Sequence, residues 1–143
     1  MDVVIITNPE DGVVMRDDQT GTDDRRLKVL LVEDHQDSAQ AVSYLLTAEG
    51  FDVEMAGNVA TALDAAQRTK FDVMLIDLGL PDGTGADLLM QLRSRGHAAP
   101  AIAVSGYGHE WNNQPNFNAH LVKPVTYEQI SKTISTLIAN NGA

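Results

Sequence analysis

A chain of 143 residues with 43% hydrophobic composition is long enough to form one domain with a sizeable core. It contains no cysteine, which excludes disulfides, thiol catalysis and zinc sites of the cysteine type, and its net charge of −10 disfavours direct binding of nucleic acid. The sequence shows no secretory leader, no apolar run long enough to span a bilayer and no basic amphipathic helix. We therefore expect a cytoplasmic protein that binds neither membranes nor nucleic acid.

The first 24 residues differ in composition from the rest of the chain. They contain seven acidic residues and one basic residue, whereas the remainder contains thirteen acidic and nine basic residues. Residues 3–7 and 13–15 could pair as a short β-hairpin, and residues 17–24 have the composition of a polar linker. The sequence thus predicts an acidic N-terminal extension over residues 1–24 and a separate folded domain over residues 25–143.

From residue 27 onward, short apolar strands alternate with amphipathic helices. The predicted elements are, in chain order, a strand at 28–32, a helix at 37–49, a strand at 52–56, a helix at 59–70, a strand at 71–76, a glycine-rich loop at 79–85, a helix at 86–95, strands at 101–105 and 119–122, and a final helix capped at Thr126. Asp37 or Ser38 is expected to cap the first helix and Asn58 the second. This alternation predicts an α/β fold of the flavodoxin-like type, a doubly wound five-stranded parallel sheet in the order 2-1-3-4-5.

Carboxylates follow two strands that are neighbours in this order. Glu33 and Asp34 come directly after the first strand, and Asp77 comes directly after the third. Because ligands bind beyond the carboxyl ends of the strands in open α/β sheets, we expect the three carboxylates to meet at one edge. Oxygen ligands of this kind suit Mg²⁺, and the backbone carbonyl of Gly79 could supply another. The alternative, that each acid is a solvated turn residue, is weakened by their joint position.

Four residues near this edge have the chemistry of phosphoryl transfer. We predict that Asp77 is the nucleophile, since a carboxylate beside a bound metal can attack a phosphoryl donor and form an acyl phosphate. Lys123 follows the last strand and could reach a phosphoryl oxygen, as could the hydroxyl of Ser105 at the end of the fourth strand. His120, in the last strand, is either a conformational gate or a half-buried edge residue. The alternative for each is a purely structural role: a helix or turn cap for Asp77, an ordinary solvated lysine for Lys123 and a strand-ending turn serine for Ser105.

Four segments carry a more specific pattern: residues 29–34 (VLLVED), 77–85 (DLGLPDGTG), 105–108 (SGYG) and 120–124 (HLVKP). Together, over about residues 27–137, they resemble the response regulator receiver domain of two-component signalling. The resemblance implies that Asp77 accepts a phosphoryl group from a histidine kinase or a histidine phosphotransfer protein. It further implies that Glu33 and Asp34 bind Mg²⁺, and that Ser105 and Lys123 sense the phosphoryl group.

The same resemblance also implies which activity the protein has. It implies a switch rather than an enzyme, with Mg²⁺-dependent phosphorylation and dephosphorylation confined to Asp77 of the protein itself. Output would pass through a downstream protein partner or through onward phosphotransfer. The chain would be a single-domain regulator or a receiver excised from a hybrid histidine kinase.

Two features depart from the family pattern. Receivers usually have an aromatic residue three positions before the lysine, and this chain has His120 there. The segment between Ser105 and Lys123 is also shorter than is usual, and residues 110–118 contain four asparagines and a proline. That composition disfavours a regular helix, so the fourth helix is predicted to be shortened or irregular.

Two other functions remain open at this point. The shortened segment favours a pseudo-receiver, a protein-binding module that works without phosphorylation. Metal-dependent phosphatases of the haloacid dehalogenase-like class also use a strand-end aspartate as nucleophile. They require a second acid two residues later, where this chain has Gly79.

Overall fold

The computed structural model describes residues 26–106 and 116–142. The elements in these ranges are β1 (Lys28–Val32), α1 (Gln36–Ala48), β2 (Asp52–Ala56), α2 (Val59–Arg68), β3 (Val73–Asp77), β4 (Gly79–Leu80), β5 (Gly83–Thr84), α3 (Gly85–Ser94), β6 (Ala101–Ser105), β7 (Ala119–Val122) and α4 (Tyr127–Gly142). The acidic extension over residues 1–24 and most of the segment predicted to hold a short fourth helix lie outside the described residues. Both therefore stay predictions.

The five longer strands form one parallel sheet in the order β2-β1-β3-β6-β7. This confirms the predicted order, because β6 and β7 are the fourth and fifth strands of the prediction. The order places β1 beside β3, with Val32 opposite Ile76. The residues that follow these two strands consequently emerge side by side at the same edge of the sheet.

Alternate side chains of the central strands face two separate hydrophobic cores. Leu30 and its same-face neighbours pack against α2 and α3, which contribute Leu92 among others. Leu31 and its neighbours pack against α1 and α4, which contribute Leu46 and Ile134. Because β1, β3 and β6 are covered on both faces, their sequences are continuous apolar runs rather than alternating ones. The sheet is therefore doubly wound, as predicted.

The helix starts confirm two predicted caps and correct a third. Asn58 caps α2 by accepting a hydrogen bond from the N–H of Thr61, and Thr126 forms a reciprocal capping box with Gln129 before α4. The prediction of Asp37 or Ser38 as the cap of α1 was wrong. His35 takes that position, because α1 begins one residue earlier and the ring Nδ1 of His35 accepts from the N–H of Ser38.

The glycine-rich loop is more ordered than the sequence predicts. Its residues form a small antiparallel hairpin, in which Gly79 pairs with Thr84 and Leu80 with Gly83. Helix α3 then begins at Gly85, and the side chain of Thr84 caps it by accepting from the N–H of Asp87. Strands of two residues are too short for a periodicity argument to find.

Within residues 26–106 and 116–142, no helix has both the length and the apolar character needed to cross a bilayer.

Candidate functional site

Three carboxylates meet beyond the carboxyl ends of β1 and β3. Asp77 is the last residue of β3, and Glu33 and Asp34 directly follow β1. One carboxylate oxygen from each residue lies within 4.8 Å of the other two. Asp77 is buried, Glu33 is partly buried and Asp34 is exposed. The sheet order thus brings together the three side chains that the sequence nominates as metal ligands.

A single lysine ammonium bridges two of these carboxylates. Nζ of Lys123 lies 2.8 Å from Oδ2 of Asp77 and 3.3 Å from Oε1 of Glu33. Burial alone would lower the pKa of Lys123, but the hydrogen bond to Asp77 and the charges of both carboxylates outweigh it and raise that pKa. Lys123 is therefore a full positive charge at the position where the sequence predicts a contact with phosphate.

Glu33 is the carboxylate of the cluster whose pKa is raised. Its carboxylate is removed from water and lies beside the charge of Asp77, and these effects raise the pKa of Glu33. They do so although the backbone N–H of His35 donates to Oε2 of Glu33 at 3.0 Å and Lys123 lies close by. Without a further cation, Glu33 is therefore harder to ionise in the folded protein than in water.

The backbone around Asp77 fixes its carboxylate in place. The N–H of Gly79 donates to Oδ1 of Asp77 at 2.9 Å, and the N–H of the intervening Leu78 donates to the carbonyl of Val104 at 2.8 Å. Gly85 lies directly behind, where a Cβ atom would come within 2.5 Å of the carbonyl oxygen of Asp77. The sequence motif thus provides a glycine where α3 approaches the Asp77 backbone. The role of the Gly79 carbonyl as a metal ligand stays a prediction.

Ser105 and His120 form a hydrogen-bonded pair on the adjoining strands. Oγ of Ser105 lies 2.8 Å from Nε2 of His120, and Ser105 is 1% exposed. Ser105 lies on β6, one residue beyond the position that pairs with Asp77, and its carbonyl accepts from the N–H of Lys123. His120 is half-buried in the edge strand β7. Sequence reasoning nominated both residues but did not predict this bond.

A cavity of about 600 Å³ opens beside the carboxylates. Its polar wall includes Asp34, Asp77 and Lys123, and its apolar wall includes Val42 and Ile130 from the two helices on that face of the sheet. Asp77 therefore borders a space that can admit a small reactant or a partner's side chain.

Asp82 holds the loop after Asp77 in place through a contact that the sequence does not predict. Its carboxylate accepts from the N–H groups of Val59 at 2.7 Å and Ala60 at 3.1 Å, and these hydrogen bonds lower the pKa of Asp82. The contact ties the hairpin after Asp77 to the start of α2, a favourable place for a negative charge. The Pro-Asp-Gly sequence signals only a local turn, so this long-range cap had no sequence signature.

Comparison with known proteins gives the same family as the motifs. The family model for the response regulator receiver domain matches residues 29–135. The probable transcriptional regulatory protein SilR of Salmonella typhimurium is 30% identical over 116 residues, which cover 78% of this chain and 51% of SilR. The chain spans about half the length of the curated relatives it matches.

Solved structures agree on the fold. A response regulator receiver domain (CheY-like) from Methylobacillus flagellatus matches with a TM-score of 0.73 and 28% identity, covering 79% of this chain and 99% of that one. The response regulator TrrA from Thermotoga maritima, in complex with Mg(2+)-BeF, matches with a TM-score of 0.72 and 19% identity, covering 78% and 98%.

Proposed function

The chain belongs to the response regulator receiver domain family, and on that premise we propose that it is a phosphoacceptor in a two-component system or phosphorelay. Asp77 takes a phosphoryl group from a phosphohistidine of a histidine kinase or a histidine phosphotransfer protein. The observation that carries the proposal is the buried Asp77 carboxylate, with Glu33 and Asp34 close by and the Lys123 ammonium at 2.8 Å.

The donor set fits Mg²⁺. Carboxylate oxygens are the ligands that this ion prefers, and burial together with the charge of Asp77 raises the pKa of Glu33, so a bound cation would favour its ionised form. Glu33, Asp34 and Asp77 would hold the ion, with the Gly79 carbonyl as a further ligand. When bound, Mg²⁺ would reduce the repulsion between the anionic nucleophile and the anionic phosphoryl group. The Mg(2+)-BeF complex of the Thermotoga maritima relative agrees with this choice.

The transfer step uses the Asp77 carboxylate as nucleophile. A carboxylate oxygen forms a bond to phosphorus while the bond between phosphorus and the donor imidazole nitrogen breaks, and the electron pair of that bond leaves with the imidazole. The Gly79 N–H orients the carboxylate through Oδ1 before the reaction. Asp77 is buried at the end of β3, which pairs with strands on both sides, and this placement holds its carboxylate in position for the attack.

Lys123 and Ser105 bind the phosphoryl group once it is attached to Asp77. The Lys123 ammonium, which in this structure lies against Asp77, can move onto an oxygen of the new phosphoryl group. The Ser105 hydroxyl can donate to another oxygen of that group. These contacts bias the protein between two conformations and alter the surface seen by a downstream protein partner. Water attacking the same phosphoryl group returns the protein to its resting state, so the protein reacts only on itself.

Chemical mapping of the phosphorylated residue tests the proposal. The protein is incubated with acetyl phosphate and Mg²⁺, reduced with borohydride, and digested for mass spectrometry. Borohydride converts an aspartyl phosphate to homoserine, so the proposal predicts homoserine at position 77. Homoserine at another aspartate would refute the assignment of Asp77, and no homoserine at any position would support the pseudo-receiver instead.

A further inference from the structure

The hydrogen bond between Ser105 and His120 is set by strand pairing. Ser105 pairs with Val122 across the parallel β6–β7 ladder, and His120 precedes Val122 by two residues. Side chains two residues apart on a strand lie on the same face, so His120 is the diagonal neighbour of Ser105 on that face. The 2.8 Å separation of Ser105 Oγ and His120 Nε2 therefore follows from the sheet.

The two groups limit each other's hydrogen bonds. The serine hydroxyl has one proton to donate, and the imidazole Nε2 either donates or accepts, depending on its tautomer. If Nε2 accepts the Ser105 proton, the hydroxyl cannot give that proton to a phosphoryl oxygen, which only accepts. If Nε2 carries a proton, it donates to Ser105 Oγ and the hydroxyl proton can turn toward the phosphoryl group.

We propose that His120 is a positioning residue for Ser105. In the phosphorylated protein, the Nε2–H of His120 donates to Ser105 Oγ and directs the Ser105 O–H at the phosphoryl group on Asp77. Hydrogen bonds in such a chain polarise one another, which strengthens the donation from Ser105. The serine proton stays on its oxygen, and the imidazole proton reaches Nε2 by exchange with solvent. The inference rests on the proposed function of Asp77.

The inference gives His120 a role that a phenylalanine could not have. A phenylalanine ring could occupy the same space in β7, but it has no donor for Ser105. The chain of bonds also runs from the phosphoryl site to the edge strand that leads into Lys123. Phosphorylation of Asp77 would thereby affect β7 through a hydrogen bond as well as through packing.

Nitrogen NMR of protein labelled at both its histidines and its glycines tests the donor assignment. Mg²⁺ and beryllofluoride, which mimics the phosphoryl group, are added to the wild type, and the His120 resonances are identified by their loss in His120→Gln. We expect Nε2 of His120 to be protonated in the bound state, with Gly79 amide shifts reporting that beryllofluoride is bound. An unprotonated Nε2 in that bound state would overturn the inference and leave the proposed function intact. No binding of beryllofluoride would overturn both.

A double-mutant cycle tests the energetic link. At saturating Mg²⁺, His120→Phe should weaken beryllofluoride binding about 3- to 10-fold, the usual effect of losing one hydrogen bond. In a Ser105→Ala background the same substitution should change the affinity by less than about twofold, because the acceptor of the bond is gone. His120→Gln, whose amide can donate to Ser105, should recover most of the loss.

The cycle separates positioning from simple structural damage. Equal losses from His120→Phe with and without Ser105 would show that His120 acts through packing, and would contradict the inference. His97→Phe is the matched control, because His97 lines a separate cavity at the amino-terminal ends of the strands, opposite the edge that holds the carboxylates. It should leave beryllofluoride affinity unchanged within about twofold.

Discussion

The two sides of the candidate site differ in how their polar groups are paired. The acidic side, comprising Glu33, Asp34 and Asp77, holds three carboxylates within 4.8 Å and raises the pKa of Glu33. The hydroxyl side, comprising Ser105 and His120, is a hydrogen-bonded pair at 2.8 Å. On the proposed function, the acidic side would be stabilised when a cation binds, whereas the Ser105 hydroxyl would make a further hydrogen bond to the phosphoryl group while it stays bonded to His120. We therefore expect the acidic side to govern Mg²⁺ binding and the hydroxyl side to govern the response to phosphorylation.

The largest expected effect comes from removing a ligand on the acidic side. Asp34→Asn should weaken Mg²⁺ binding by about 100-fold or more, since even residues that only support metal ligands cost about 10- to 100-fold. Calorimetric titration with Mg²⁺ measures this. Asp37→Asn, an exposed acid in the first turn of α1, is the control and should change the affinity little. Similar losses in the two variants would mean that overall charge, not the cluster, attracts the ion.

Much of the acidic side could be predicted from sequence, and the hydroxyl side could not. The alternation of strands and helices predicts the sheet order, and that order brings together the acids at the ends of the first and third strands. The Ser105–His120 bond depends on the register of β6 against β7, which a sequence pattern does not give. Ser105 and His120 were nominated, but their contact required the structure.

The missed contacts on the acidic side share a physical cause. The cap from Asp82 spans 23 positions in the sequence, so no local pattern reveals it. His35, which caps α1, also donates its backbone N–H to the Glu33 carboxylate, a contact that helix signals do not include. The need for Gly85 comes from the close approach of α3 to the carbonyl of Asp77. Tertiary contacts of this kind are invisible to propensity and periodicity.

The backbone behind Asp77 provides the second prediction. Gly85→Ala forces a Cβ to within 2.5 Å of the Asp77 carbonyl oxygen, so it should lower the free energy of unfolding by about 1–3 kcal/mol. Urea denaturation measures the loss. Gly57→Ala, where an added Cβ meets nothing within 4 Å, should stay within about 0.5 kcal/mol of the wild type. A Gly85 variant as stable as the Gly57 variant would mean that α3 can shift away from Asp77.

Lys123 contacts both sides, since its ammonium lies against Asp77 and Glu33 and its backbone N–H donates to the Ser105 carbonyl. Removing its charge should raise the affinity for Mg²⁺ and lower the stability of the metal-free protein. Lys123→Gln takes a positive charge away from Asp77 and Glu33, so Mg²⁺ should bind roughly tenfold more tightly. Without metal, the uncompensated carboxylates should lower the free energy of unfolding by about 1–2 kcal/mol. Titration and denaturation in a chelator measure the two effects. Lys132→Gln, on the exposed surface of α4, should show neither. Unchanged Mg²⁺ affinity in Lys123→Gln would contradict the electrostatic account.

The smallest expected effect concerns the pH dependence of stability. The raised pKa of Glu33 means that the wild type gains stability as Glu33 is protonated on acidification, and loses it as the pH rises through that pKa. Glu33→Gln is neutral at every pH and can still accept from His35. In a chelator at pH 7 it should be more stable than the wild type by less than about 1 kcal/mol. The difference should vanish toward acidic pH. A variant less stable than the wild type at pH 7 would show that the Lys123 ion pair outweighs burial.

The most direct test of the account is the intact mass of the protein after incubation with acetyl phosphate. The wild type is measured with Mg²⁺ and with chelator, and Asp77→Asn is measured with Mg²⁺. The account predicts a gain of one phosphoryl group in the wild type with Mg²⁺, and no gain in the other two samples. A wild type that gains no phosphoryl group, or an Asp77→Asn variant that gains one as readily, would contradict the claim that this sheet edge is a phosphoacceptor site.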